Sequence, residues 1–160
     1  MKSPQSDQHP AVTRIIEEFI NNLPFNQLVG LQASEDDEGT IAVGFENGDA
    51  LSGNPLLKTL HGGMIATAMD VAGALPVLKA AAERQLGKGI QADELNLKRL
   101  GRACTIDLKI DYLRPGKGKY FTCKGILRHE ATQLLFTDME LVNEKGTLIA
   151  RATGAYMLGR

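Results

Sequence analysis

The stretch LHGGMIATAMDVAGALPVL, residues 60 to 78, is nearly the most apolar run of this 160-residue chain, yet it carries one carboxylate, Asp70. An unpaired carboxylate in an apolar setting costs several kcal/mol, and no lysine or arginine stands within a helical turn of it. An acid retained there is a candidate nucleophile or general base. The plainer reading is a partly exposed helical aspartate hydrogen-bonded by Thr67. At helical spacing its neighbours are Ala66, Thr67, Gly73 and Ala74, a face small enough for a ligand or another backbone to come close.

The start of the same segment complements the acid. Gly62 and Gly63 offer backbone N–H groups with no intrahelical partner, at the positive end of a long helix, which makes an oxyanion hole. His61 stands at the N-cap position, either as a turn residue or as a polar group facing substrate. Gly62 and Asp70 are eight positions apart, so on one helix they are separated by ~12 Å along the axis, too far to act on one carbonyl carbon. Two such helices, antiparallel about a two-fold axis, bring Gly62 of one subunit beside Asp70 of the other, and the small face permits their approach.

The elements that must position these groups are legible in outline. Ile15, Ile16, Phe19, Ile20 and Leu23 recur at helical spacing until Pro24, which stops a short helix. Residues 1–10 are expected to fray. Residues 39–46 alternate as a first strand, and an apolar helix runs from Gly62 to about Arg84. ADELNLKRL, residues 92–100, reads as a short surface helix. In CTIDLKIDYL, Cys104, Ile106, Leu108, Ile110 and Tyr112 alternate with mostly polar neighbours, the period of a half-buried strand. The turn RPGKGK and three further runs make the C-terminal part an antiparallel meander. The sum is an α+β domain with the long helix as its core.

Composition excludes other classes. With 43% hydrophobic and 23% charged residues the chain is globular, and a net charge of −1 supplies no field for nucleic acid or anionic membrane. No uninterrupted apolar run reaches the ~18 residues of a membrane span and no signal peptide is visible, so a cytoplasmic protein is expected. Cys104 and Cys123 lack metal-ligand spacing; both read as reduced, buried thiols in strands, and no metal or cofactor is expected.

HGG, an acid nine positions after the histidine, and the later YLRPG before a lysine- and glycine-containing turn resemble the hotdog-fold acyl-CoA thioesterases of the PaaI-like group. The resemblance is closest to the YigI-like medium- and long-chain acyl-CoA thioesterases, and it covers residues 25 to 158. It implies a hotdog fold in which a sheet of five to six strands wraps the helix. Residues 1–24 form a tail and short helix, and residues 25–160 a single thioesterase domain. It further implies a homodimer, with a homotetramer left open, and acyl-CoA as substrate. Gly62 then polarises the thioester carbonyl while Asp70 of the other subunit acts as nucleophile or base. Several relatives place a serine or threonine one turn after the acid to hold water; here that residue is Ala74, and Thr67 is the substitute. Asn54 stands where relatives often carry an amide near the thioester, with a local turn role as the alternative. For the phosphates of CoA the candidates are Arg114, Lys117 and Lys119, with Arg128 and Arg151 more distant; Arg114 is preferred because a guanidinium binds phosphate bidentately. The competing readings are a hotdog dehydratase, which usually has a histidine followed by phenylalanine and proline, and a catalytically silent acyl-CoA-binding dimer.

Overall fold

The spacing of Val12, Ile16 and Ile20 buries one face of α1 (Pro10–Asn21). This computed structural model describes residues 10–36, 40–91, 95 and 101–158. Pro10, expected to fray, belongs to α1; the rest of that tail, residues 1–9, lies outside the described residues, as do all of 92–100 except Leu95. Pro24 follows the end of α1, as expected, but it also opens α2 (Pro24–Val29), because a first-turn proline loses no hydrogen bond. Gly30 closes α2 in the left-handed region, with φ 71°.

Six strands form one antiparallel sheet: β1 (Gln32–Glu35), β2 (Ile41–Glu46), β5 (Ala103–Tyr112), β6 (Tyr120–Glu130), β7 (Leu134–Asn143) and β8 (Leu148–Leu158). Their order is β1-β2-β6-β7-β8-β5. A separate two-stranded piece, β3 (Ser52–Asn54) with β4 (Thr59–Leu60), leads into α3 (Gly62–Leu86). The simple meander expected from residue 104 onward is corrected here. Strands β6, β7 and β8 do form one, but β5 pairs with β8 at the far edge, and the RPGKGK segment carries the chain across to β6. Alternation fixes which face of a strand is buried, not which strand lies beside it.

Helix α3 lies against this sheet and buries Met64, Ile65, Met69, Leu75 and Leu78, with Val71 packed on the same core. By length and composition it is the one described helix apolar enough to cross a membrane, but the sheet of its own chain covers it. Pro76, inside the helix, supplies no N–H to the Ala72 carbonyl. Strand β6 approaches that carbonyl so closely that a Cβ on Gly125 would lie 2.1 Å from it.

The strict alternation of β5 is broken by a bulge at Ile106, between the pairs Thr105↔Tyr156 and Asp107↔Ala155. Facing pairs share a side of the sheet, so the bulge switches parity. Leu108, Ile110 and Tyr112 follow the helix-facing residues Gly154, Ala152 and Ala150, whereas before the bulge Thr105 takes that side beside buried Tyr156. Cys104 and Ile106 are exposed instead of half-buried.

Candidate active site

The two chemical groups lie on one unbroken helix, α3, and a rise of 1.5 Å per residue keeps Gly62 and Asp70 ~12 Å apart along it. At its start, His61 caps the helix: its Nδ1 accepts the Gly63 N–H at 2.8 Å. That contact corrects the reading of two equivalent donors, because it occupies Gly63. Among the described residues no acceptor takes the Gly62 N–H. With Nδ1 accepting, the imidazole proton sits on Nε2, and the ring itself is exposed. Tyr112, at the end of β5, donates its hydroxyl to the Gly62 carbonyl at 3.2 Å. Gly62, Tyr112 and Arg114 share an open depression of about 360 Å³.

Asp70 is half-buried, and Thr105 Oγ1 donates to its Oδ1 at 2.7 Å. Among the described residues no lysine, arginine or histidine pairs with it. Tyr156 donates to the backbone carbonyl of Asp70 at 3.1 Å. Burial, and then the charge of Asp70, push the Tyr156 phenol up, so it stays protonated as a donor. Thr67 Oγ1 donates to Gly63 O one turn back at 2.9 Å, and its lone pairs remain available.

The other candidates are dispersed. Asn54 Oδ1 accepts the N–H groups of Leu56 and Leu57 at 3.1 and 3.2 Å, a local turn role. Arg114 donates to the Leu148 carbonyl at 2.9 Å and stays at the depression beside Gly62. Lys117 and Lys119 instead line a separate groove of about 780 Å³ with Lys58. Arg128 and Arg151 are paired with Asp138 and Glu140 on the sheet, away from the helix start. Cys123 is buried beside Met69, and burial pushes its thiol far up, whereas Cys104 is exposed. Among the described residues no three His, Cys, Asp or Glu side chains converge to hold a metal.

The family model described as Thioesterase superfamily matches residues 57–150, which include Gly62, Asp70, Thr105 and Arg114. The chain belongs to the thioesterase superfamily. A Salmonella typhimurium protein named medium/long-chain acyl-CoA thioesterase YigI is 38% identical over 149 residues, covering 93% of this chain and 94% of that protein. A thioesterase-superfamily structure from Shewanella oneidensis superposes with a TM-score of 0.81 at 37% identity, over 95% of this chain and 97% of that one. A Bacillus halodurans protein solved with CoA shares the fold, with a TM-score of 0.68 at 23% identity and coverage of 100% and 96%. The hotdog fold implied by the sequence resemblance is therefore the fold of this superfamily member.

Sequence reading missed Thr105 and Tyr156. Strict alternation places Thr105 on the outer face of β5, and only the bulge turns it toward Asp70. The small face also needs correction, since Gly73 faces its own sheet. A Cβ there would lie 2.1 Å from the Tyr156 hydroxyl, so the glycine makes room for Tyr156.

Proposed function

We propose that the protein hydrolyses medium- and long-chain acyl-CoA thioesters to the free acid and CoA, as a homodimer whose two sites lie across the subunit interface. The observation that carries this reading is Asp70: a half-buried carboxylate, clamped through one oxygen by Thr105 and free of any cationic partner among the described residues. The names of the relatives support the substrate class. In the reaction, Asp70 takes a proton from water as the water oxygen adds to the thioester carbon. The oxyanion that forms accepts the Gly62 N–H of the other subunit; collapse then breaks the C–S bond, and the thiolate leaves and is protonated. Asp70 as nucleophile is the variant in which carboxylate rather than water adds to carbon. In that variant the carboxylate expels the thiolate to leave a mixed anhydride, which water then hydrolyses; in a single turnover in ¹⁸O-water, an unlabelled acid with ¹⁸O left in Asp70 marks that route with water attacking the Asp70 carboxyl carbon.

Both halves of the site touch β5, Gly62 through Tyr112 and Asp70 through Thr105. Antiparallel pairing of two β5 strands about a two-fold axis would continue the sheet and set each Gly62 beside the partner's Asp70. Arg114, beside Gly62, is the proposed phosphate contact. Lys117 and Lys119 lie in a groove that an extended nucleotide could also reach. A chain-length series of acyl-CoA substrates in a thiol-release assay tests the reading. Turnover that rises from acetyl to longer chains and falls by at least ~10² in Asp70→Asn supports it; saturable binding without turnover would identify a silent acyl-CoA binder instead.

A further inference from the structure

We propose that Tyr156 is a positioning residue for Asp70, holding the helical turn that bears the carboxylate at a fixed distance from the sheet. The role rests on the thioesterase reading above. Tyr156 is 1% exposed, and its hydroxyl reaches the Asp70 carbonyl at 3.1 Å. A buried phenol needs a partner, but this one meets it through an unusually close approach of helix and sheet. A Cβ on Gly73 would stand 2.1 Å from the hydroxyl, and one on Gly154 2.7 Å from the ring. Two glycines, one on α3 and one on β8, thus leave room for this phenol, with Met139 packed against both.

Register gives the arrangement its meaning. Thr105 and Tyr156 face each other across β5 and β8, so one cross-strand pair holds Asp70 twice, by the carboxylate and by the backbone. The bulge at Ile106 brings Thr105 to that pair. The Asp70 carbonyl lies within the helix and is the acceptor for the N–H one turn later, so the phenol adds a second donor that ties this turn to the sheet. A displacement of ~1 Å at a reacting group costs up to ~10² in rate, so such a tie is expected to act on turnover rather than on binding.

The test is Tyr156→Phe, which removes one hydroxyl and keeps the ring, assayed well below its melting temperature. We expect kcat to fall about tenfold with KM within about twofold of wild type. Gly73→Ala pushes the phenol from its slot and is expected to lower kcat similarly. Because the hydroxyl is already absent in Tyr156→Phe, Gly73→Ala should cost less in that background than alone. An unchanged kcat in folded Tyr156→Phe, a parallel change of kcat and KM, or fully additive losses would overturn the proposal while leaving the thioesterase reading intact. A wild-type chain without acyl-CoA turnover would overturn both.

Discussion

The two edges of the sheet are finished in opposite ways. At β1 the edge is four residues long and closed by α1: Asn21 Oδ1 accepts the Ala33 N–H at 2.7 Å, Asn21 Nδ2 donates to the Ala33 carbonyl at 3.0 Å, and Glu17 Oε1 accepts the Glu35 N–H at 2.6 Å. At β5 the edge is ten residues long, and among the described residues nothing pairs with its outer side. It displays Ile106 at 53% and Tyr112 at 54% exposure. A long apolar edge is an aggregation hazard unless something covers it, whereas a short edge closed by side chains is not. The open β5 edge is what the proposed β5–β5 pairing needs, and β5 also contacts both chemical groups on α3, through Tyr112 and Thr105.

The largest effect should come from attacking that edge. Ile106→Lys places a charge in the proposed β5–β5 seam and is expected to give monomers by light scattering. Activity should fall by more than ~10³, since each site would lose the partner's oxyanion donor or base. Gln32→Lys on β1 should leave both size and activity unchanged. Equal behaviour of the two variants would erase the distinction between the edges.

A smaller loss is expected within β5 itself. Thr105→Val deletes the hydroxyl on Asp70 Oδ1 at nearly constant volume; kcat should drop about tenfold in a protein that remains dimeric. Loss of dimers instead would show that Thr105 serves the seam rather than the carboxylate.

At the other end of the strand, Arg114→Ala should raise KM for acyl-CoA about fivefold, the scale of one exposed charged contact. For a short thioester lacking the nucleotide it should change KM little. An equal rise for both substrates would remove Arg114 from the phosphate site.

The least effect on turnover is expected at the covered edge. Asn21→Ala removes both bonds to Ala33 and should lower the melting temperature, with a loss of ~1–3 kcal/mol in stability, while kcat and dimerisation stay as they were.

Much of this architecture is written locally. The helix bearing Gly62 and Asp70 follows from its apolar length, and the spacing of those residues is a property of any helix. What the sequence concealed depends on non-local register. Strand β1, QASE, has one buried residue and no alternation to reveal it. A single inserted residue at Ile106 hid the hydroxyl on Asp70, because a period of two carries no mark of its own interruption. The partner of β5 was hidden for a related reason, since pairing order is decided by how the whole sheet closes on α3.

The most direct test of a site shared between subunits is complementation by two inactive chains. One carries Asp70→Ala; the other carries Gly62→Pro, which removes the proposed donor at a first-turn position that tolerates proline and where an added Cβ comes nearest to the Tyr112 side chain, at an ordinary contact of 3.6 Å. After verified subunit exchange, random pairing makes about half of the dimers mixed, each with one intact site of two. A site shared between subunits should restore roughly a quarter of wild-type activity under that symmetry. No recovery would contradict it, because a site built within one chain lacks a group in every combination.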